Sequence, residues 1–432
     1  MYYESKELIM MDPLAIRGGK PARSTPLPPN YPGAVLMGEE EALAAAEVVK
    51  ARSPFRYYGI EGRHAVETFE NTMAEKLQVP YVLGVSSCTA ALITAMKALG
   101  IGYGDKVIVP AVTFMATAGA VVCCNAVPVF ADVDESLNLA PGDLERVYDE
   151  DVKAIITVPV LGSPCHMVPI LEFARRHNLY VIEDVAQSCG VTYKGRTAGT
   201  MGDIGVFSFQ MNKILTSGEG GAIVTKRADL FERAVRYHDQ GLFRQKERYG
   251  IETDETAAFT GQNYRMSELT GAVLVEQWKK LDFILEGMKQ RHSSIVSRLR
   301  SELPSIRLRA VIDEEGDIGS SLGIILSDAG TAQAVAGALG AENISAFTLY
   351  GGKPVYMLPQ FFHQRTADKD GFPYNYPFKN PVRYTEDMCP RAVDLLARTL
   401  FIPVSPLLGD QDEDEIVGGL VKVLVGLNVL ER

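Results

Sequence analysis

The chain has 432 residues, of which 47% are hydrophobic and 22% are charged, and its net charge at pH 7 is −11. This composition is typical of a globular protein with a large core and roughly two or three domains. The acidic balance excludes a general nucleic-acid binder, which needs a basic face, but allows a small anionic ligand held by backbone amides and helix ends.

Residues 1–36 are rich in proline and glycine and predict an extended amino-terminal arm. Helices are predicted from Glu39 and from Ala65, where apolar residues recur at helical spacing. Strands then alternate with helices, which predicts right-handed crossovers and a mostly parallel sheet whose apolar strands are buried on both faces. The predicted strands are 81–85, 106–110, 127–133, 153–160, 179–184, 205–210 and 221–226.

Residues 267–303 read as helical and are predicted to bend as the chain leaves this sheet. Shorter strand-like pieces, 322–327 and 344–349, then mix with helices and predict a smaller α+β unit. The predicted division is an arm (1–36), a large domain (37–282) and a small carboxyl-terminal domain (283–432).

Residues 107–131 contain no charge, but Pro110 and Pro128 interrupt them, so two strands and a buried helix are favoured over a membrane span. The amino terminus mixes acids into its apolar residues and lacks the apolar run of a secretory signal. We therefore expect a soluble cytoplasmic protein without a metal site. Buried reduced thiols are predicted for the six cysteines, at 88, 123, 124, 165, 189 and 389.

Several polar residues fall where predicted strands end, the edge at which doubly wound sheets bind ligands. Asp184 ends one strand, Ser208 lies in another, and Lys213 follows it. Residues 86–92, SSCTAAL, lead into a helix start, where backbone N–H groups and the helix dipole favour an anion. Individually these residues fit ordinary structural roles: a helix cap, a strand serine and a solvated lysine.

Together they match the requirements of pyridoxal phosphate. Its aldehyde forms a Schiff base with a lysine, and an acid keeps the pyridine nitrogen protonated, so that the ring accepts electrons from a substrate carbanion. Lys213 and Asp184 would take these roles, with the helix start and Ser208 holding the phosphate. Phe114 would lie against the ring face, although its spacing also fits a core residue.

The chain resembles the DegT-type (DegT/DnrJ/StrS) sugar aminotransferases, which are dependent on pyridoxal phosphate. The resemblance implies the aspartate-aminotransferase fold (fold type I): an α/β protein with a mostly parallel seven-stranded sheet flanked by helices and a smaller α+β domain. The motifs that carry it are GIGYGDKVIVPAVTFMATAGAV, VPVFADVD, VIEDVAQSCG, GDIGVFSFQMNK, GEGGAIVT and GQNYRMSEL, in the family's order.

The resemblance implies roles for matching residues around the cofactor ring. Lys213 matches the Schiff-base lysine, and Asp184 matches the partner of the pyridinium. Gln187 matches the residue beside the phenolic oxygen, and Phe114 the stacking aromatic.

The phosphate-binding positions implied by the resemblance are Thr89, Ala90 and Ser208. Asn263 matches a residue that the family supplies to the phosphate across a homodimer interface, with Arg265 as a neighbour.

Three positions depart from the family pattern. Cys88 stands where a small residue is usual, and Cys189 and Pro159 stand where histidines are frequent. The latter two would line or back the pocket, so they bear on the substrate rather than on the cofactor.

One branch of the family has histidine in place of the Schiff-base lysine and performs dehydration. The presence of Lys213 therefore favours transamination. The resemblance implies an amino donor, glutamate or glutamine, and an acceptor that is a keto sugar, sugar nucleotide or cyclitol ketone. Two alternatives remain open: a lyase, cyclase or dehydratase on the same scaffold, and a cofactor-binding regulator without turnover.

Two segments bear on the substrate. Arg56, Tyr57 and Tyr58, in SPFRYYGIEG, match a region where relatives place pocket residues, although a surface turn explains them equally well. Residues 364–388 lack helical or strand periodicity, which predicts either a lid or binding loop or a solvated insertion.

Overall fold

The structure is a computed structural model that describes residues 13–252 and 254–431. Its largest sheet has seven strands. In chain order the strands are β1 Tyr81–Val85, β2 Lys106–Pro110, β3 Val127–Ala131, β4 Val152–Thr157, β5 Tyr180–Asp184, β6 Thr192–Tyr193, β7 Arg196–Thr197, β8 Ile204–Ser208, β9 Gly221–Thr225, β10 Ser321–Ile325, β11 Phe347–Thr348 and β12 Thr399–Pro403.

The seven-stranded sheet has the order β1-β9-β8-β5-β4-β2-β3. β9 runs antiparallel to both of its neighbours, and the other neighbouring pairs are parallel. The predicted mostly parallel seven-stranded sheet is therefore confirmed. Adjacent residues of β8, Val206 and Phe207, belong to different hydrophobic clusters, because successive side chains of a strand point to opposite faces. Both faces of the sheet are thus buried.

Helices pack on both sides of this sheet, and further helices lie in the carboxyl-terminal part of the chain. They are α1 Glu39–Lys50, α2 Ala65–Leu77, α3 Cys88–Ala98, α4 Met115–Cys123, α5 Leu144–Val147, α6 Met167–His177, α7 Ala228–His238, α8 Lys246–Tyr249, α9 Glu268–Lys279, α10 Leu281–Glu302, α11 Ala329–Ala341, α12 Pro359–Phe362, α13 Pro390–Arg398 and α14 Asp410–Gly426. The predicted bend within residues 267–303 is a break at Lys280, which separates α9 from α10.

The carboxyl-terminal part contains a three-stranded sheet of order β10-β12-β11, in which β12 pairs antiparallel with both neighbours. The sequence analysis missed α13 and β12. β12 is a five-residue buried run, and such a short apolar run has no periodicity that distinguishes a strand from a buried helix segment. The strand predicted at 344–349 is only two residues long, Phe347–Thr348.

Residues 13–36 contain two short 3-10 helices, Ala15–Arg17 and Ala34–Leu36, joined by irregular chain. The segment is tied to the carboxyl-terminal part, where the Glu342 carboxylate accepts hydrogen bonds from the backbone N–H groups of Ala15 and Ala22. Residues 1–12 of the predicted arm lie outside the described residues.

Residues 364–388 are irregular, as predicted, apart from a 3-10 turn at Lys369–Gly371. They pack beside β2, with the Phe372 ring stacked on Tyr103 at 5.3 Å and the Asn380 carbonyl accepting from Lys106 Nζ at 2.8 Å. Whether this segment acts as a lid stays a prediction.

Across the described ranges, no helix combines the length and the apolar character that crossing a bilayer requires. Residues 107–131 form β2, α4 and β3, as predicted. All six cysteines are free. Four are buried, but Cys88 is half-buried and Cys123 is exposed, so the prediction of a buried thiol is wrong for Cys123. It lies in the last position of α4, where the helix turns that residue outward.

Candidate active site

A cavity of about 720 Å³ lies at the carboxyl ends of β5 and β8 and the start of α3. The parallel strand directions bring these ends to one edge of the sheet, so residues far apart in sequence meet there. The cavity is lined by six of the residues predicted from sequence: Thr89, Phe114, Asp184, Gln187, Ser208 and Lys213.

Asp184 ends β5 and is 3% exposed. Thr117 Oγ1 donates to its Oδ2 at 2.8 Å, and the Ala186 N–H donates to Oδ1 at 3.2 Å. The Cys88 thiol lies 3.8 Å from Oδ1. Burial raises the pKa of the Asp184 carboxyl, and these hydrogen bonds oppose that effect. The carboxyl is thus held in one orientation at the bottom of the cavity.

Lys213 lies in the connection between β8 and β9. The Phe209 N–H donates to the Gly220 carbonyl, and the Met211 N–H donates to the Gly218 carbonyl. These two hydrogen bonds close the connection into a compact loop. The amine makes no hydrogen bond with any residue of the described ranges. Burial lowers the pKa of Lys213, and the neighbouring Cys88 and Asp184 side chains oppose that effect. A larger fraction of the amine is therefore neutral, and nucleophilic, near neutral pH.

The start of α3 forms a cradle for an anion. Ser87 Oγ accepts from the Ala90 N–H at 3.1 Å, whereas the N–H groups of Cys88 and Thr89 have no partner in the described chain. A β-carbon at Gly221 would lie 2.5 Å from the Ser87 carbonyl, so only glycine lets β9 approach the helix start this closely. Ser208, at the end of β8, adds its hydroxyl to the cavity wall.

Gln187 and Phe114 also line the cavity. Gln187 Nε2 donates to the Tyr350 hydroxyl at 2.9 Å, and its Oε1 accepts from the Leu161 N–H at 3.4 Å. Phe114 is 50% exposed, and its ring centroid lies 6.5 Å from that of Tyr350. Phe114 is therefore available to a ligand and is not a core residue.

The cavity residues fit pyridoxal phosphate. Two free helix N–H groups and the Ser208 hydroxyl suit a phosphate, a buried carboxylate suits a pyridinium nitrogen, and an unpaired amine suits an aldehyde. The volume of about 720 Å³ is within the range of small-molecule sites and leaves room for a substrate beside the cofactor.

Sequence reasoning missed several residues that the fold brings to this cavity, among them Thr117, Tyr350, Ser320 and Ser321. Thr117 lies in the charge-free stretch 107–131. A polar threonine within this apolar stretch was the signal in the sequence that could have marked it as a site residue. Tyr350 and the two serines come from the carboxyl-terminal part, and nothing local marks them. The hydroxyls of Ser320 and Ser321 are buried without a hydrogen-bond partner among the described residues.

Three residues that were predicted to lie at or near the phosphate, Ala90, Asn263 and Arg265, do not line the cavity of this single chain. The Ala90 N–H is occupied by Ser87 Oγ. Asn263 is exposed, and its backbone forms an isolated antiparallel β-bridge with Asp239. Arg265 Nη1 forms an ion pair with Asp239 Oδ1 at 2.6 Å. The roles implied for these residues stay predictions. Cys189 and Pro159 also lie outside the cavity wall, where Pro159 accepts a hydrogen bond from Ser188.

The residues of the 53–62 segment lie apart from the cavity wall as well. Arg56 is buried, with Nη2 2.7 Å from Glu70 Oε1 and Nη1 donating to the Gly84 carbonyl at 3.0 Å. The Tyr57 hydroxyl lies 3.2 Å from His238 Nε2, and burial raises the pKa of Tyr57 to about 12. Tyr58 is 69% exposed. Their predicted substrate role stays a prediction.

We expect Arg56→Ala to lower the free energy of unfolding by about 3 kcal/mol, because it leaves the fully buried Glu70 with Arg248 as its remaining charged partner. Chemical denaturation measures this change. Arg63→Ala, which breaks an exposed ion pair with Glu47, is the matched control and should cost below about 1 kcal/mol. Unchanged stability together with a raised KM for the acceptor would instead assign Arg56 to substrate binding.

Comparison with known proteins agrees with this geometry. The model of the DegT/DnrJ/EryC1/StrS aminotransferase family matches residues 39–421. The chain is 32% identical to L-glutamine:2-deoxy-scyllo-inosose aminotransferase from Streptomyces fradiae, over 96% of this chain and 98% of the relative. It is 39% identical to GDP-perosamine synthase from Escherichia coli O157:H7 over 50% of this chain, and that match spans only 58% of the relative's length.

Among solved structures, the aminotransferase from Psychrobacter cryohalolentis superposes with a TM-score of 0.76 at 27% identity, covering 94% of this chain and all of the other. The similarity confirms the predicted fold type I. Since the family model spans the elements that build the cavity, the predicted resemblance is confirmed as well. The chain belongs to the DegT/DnrJ/EryC1/StrS aminotransferase family.

Proposed function

We propose that this protein is a pyridoxal-phosphate-dependent aminotransferase that moves an amino group from glutamate or glutamine to a keto sugar, sugar nucleotide or cyclitol ketone. The observation that carries the proposal is the meeting of Lys213 and Asp184 in one cavity beside the free N–H groups of α3. Family membership supports it, because a lysine with lowered pKa and a buried acid are what this chemistry requires.

Bound pyridoxal phosphate supplies an aldehyde that combines with amines and a ring that withdraws electrons from the neighbouring carbon. Lys213 provides the amine that would hold this aldehyde. The free Lys213 amine would also act as a base in the cavity. Its lowered pKa lets it take a proton from the donor's α-carbon and return one nearby at close to neutral pH.

Asp184 would hold the proton of the ring nitrogen. The hydrogen bonds from Thr117 and the Ala186 N–H fix the carboxylate, so that little reorganisation is needed when charge develops in the ring. Gln187, oriented by Tyr350 and the Leu161 N–H, would lie beside the phenolic oxygen.

The acceptor would occupy the side of the cavity that the carboxyl-terminal part supplies. Ser320, Ser321 and Ser345 line the cavity from this part of the chain, and Asn30 lines it as well. Serine hydroxyls suit a polyhydroxylated ligand, because each can both donate and accept a hydrogen bond. Relatives named GDP-perosamine synthase and L-glutamine:2-deoxy-scyllo-inosose aminotransferase support a sugar or cyclitol acceptor.

The proposal includes a cytoplasmic homodimer with shared sites. Asn263 is exposed, and the apolar residues Tyr58, Ile60 and Met211 are exposed as well, so they are available to a second subunit. Six free thiols suit a reducing compartment. The division at residues 36 and 282 is also part of the proposal, and the separate sheets before and after residue 282 support it.

A half-reaction screen tests the function. The holoenzyme should lose its visible cofactor absorbance when L-glutamate or L-glutamine is added, with release of the corresponding 2-oxo acid. A panel of keto sugars and cyclitol ketones should then restore the absorbance. A protein that binds the cofactor but yields no 2-oxo acid from any amino donor would favour the lyase, cyclase or dehydratase reading instead.

Mixed dimers test the shared site. A Lys213→Ala subunit and an Asn263→Ala subunit, each inactive alone, should regain about a quarter of the normal activity at equal random mixing. Half of the dimers are mixed, and one of the two sites in each mixed dimer has both residues intact. Activity is measured before and after subunit exchange. Absence of any recovery, with exchange verified by mass spectrometry, would contradict a site built from two chains.

A further inference from the structure

One residue of the active-site wall, Leu161, has a backbone conformation that residues with a β-carbon rarely adopt. It lies in the 3-10 turn Val160–Gly162 that follows β4, and its φ of 45° and ψ of 50° are left-handed. Such a residue keeps this conformation only where the surrounding contacts hold it. Leu161 lines the cavity, and its N–H donates to Gln187 Oε1 at 3.4 Å, so this turn bears on how Gln187 is oriented.

Arg309, from the carboxyl-terminal part, holds this turn by two of its carbonyl groups. Its Nη1 donates to the Val160 carbonyl at 2.9 Å, and its Nη2 donates to the Leu161 carbonyl at 3.3 Å. The arginine is buried, and Asp317 Oδ2 lies 3.8 Å from Nη2. A guanidinium is planar and presents its donors in a fixed fork, so the two hydrogen bonds set the directions of two successive carbonyls.

Gly323 of β10 provides the space that this arginine occupies. The Arg309 N–H donates to the Gly323 carbonyl at 2.9 Å. A β-carbon at Gly323 would lie 2.9 Å from Arg309 Cβ and 3.0 Å from Phe401 Cε1, so a larger residue there would displace the arginine. The guanidinium lies over the Phe401 ring, 5.4 Å from its centroid. The carboxyl-terminal part therefore fixes both the backbone and the side chain of Arg309.

We propose that Arg309 is a positioning residue of the active site, which acts through Leu161 to orient Gln187. Since Gln187 Nε2 donates to the Tyr350 hydroxyl, the carboxyl-terminal part holds both ends of this amide, one directly and one through the Leu161 turn. An amide held at both ends does not exchange its donor and acceptor ends, so the same end always faces the cofactor. This role rests on the proposed function, which places Gln187 beside the phenolic oxygen.

A pH titration of the resting holoenzyme, followed by cofactor absorbance, tests this role without any substrate. The variants are Arg309→Met, Gln187→Ala and the two combined. Arg309→Met should shift the midpoint of the absorbance change in the same direction as Gln187→Ala, by about 0.5 pH units or more, the size that one hydrogen bond contributes. The double variant should shift no further than Gln187→Ala, because Arg309 acts through that residue.

Arg23→Met is the matched control, because Arg23 is equally buried and pairs with Asp412 at 2.8 Å but does not line the cavity. It should lower stability to chemical denaturation and leave the midpoint unchanged. Arg309→Lys keeps a charge beside Asp317 and replaces Arg309→Met in the series if that variant does not fold. A single ammonium group does not reproduce the fork on two carbonyls, so Arg309→Lys should shift the midpoint with the same sign.

Two results would overturn the proposal. One is a wild-type midpoint in Gln187→Ala or in each folded Arg309 variant. The other is a pair of shifts that add in the double variant, which a direct effect of the Arg309 charge on the cofactor would give. Failure of the proposed function gives different patterns: the expected shifts without release of a 2-oxo acid contradict amino transfer alone, whereas a wild type without a cofactor absorbance band contradicts both.

Discussion

Lys213→Ala is expected to lower the rate of amino transfer from the donor by about 1,000-fold or more. The variant removes both the amine that would hold the cofactor and the base that moves the proton, and a positioned proton-transfer group alone contributes about 100-fold to 10,000-fold. Stopped-flow absorbance after addition of L-glutamate or L-glutamine measures the rate. Borohydride reduction of the wild type followed by peptide mapping should place the label on Lys213.

Lys226→Ala is the matched control, because the Lys226 amine reaches the Thr200 carbonyl on the surface and does not line the cavity. It should retain normal transfer. Normal turnover in Lys213→Ala, or a borohydride label on another lysine, would refute the assigned chemistry.

Asp184→Asn is expected to slow the same half-reaction by about 100-fold to 1,000-fold, because an amide does not carry the negative charge that stabilises a protonated ring nitrogen. The buried site makes that charge matter more than it would in water. The pH dependence of cofactor absorbance in the resting enzyme gives a second readout, since the ring environment changes even when no substrate is present.

A graded series separates this role from folding. Thr117→Val removes one hydrogen bond to Asp184 Oδ2 and should have a smaller effect of the same sign, about tenfold. Asp282→Asn, at an exposed ion pair with Lys76, should have none. An Asp184→Asn enzyme with unchanged half-reaction and unchanged absorbance would exclude Asp184 as the partner of the ring nitrogen.

The positions of Lys213, Asp184 and Ser208 could be predicted from sequence, because they depend on where strands end along the chain. Each lies at or just after the end of a strand, and parallel strands bring such ends to one edge. Their chemistry together indicated one cofactor, and the family resemblance, which matching motifs carry over most of the chain, implied the role of each residue. β12 was missed altogether, because a five-residue apolar run does not distinguish a strand from a buried helix segment.

The sequence by itself determined the alternation of strands and helices, the strand ends near which the reactive groups lie, and the family. Tertiary structure alone decided which distant groups complete the wall, since Tyr350 reaches Gln187 across 163 residues of chain. The physical reason is that periodicity reports which face of an element is buried, whereas contacts between elements depend on how whole layers pack, which no local pattern encodes.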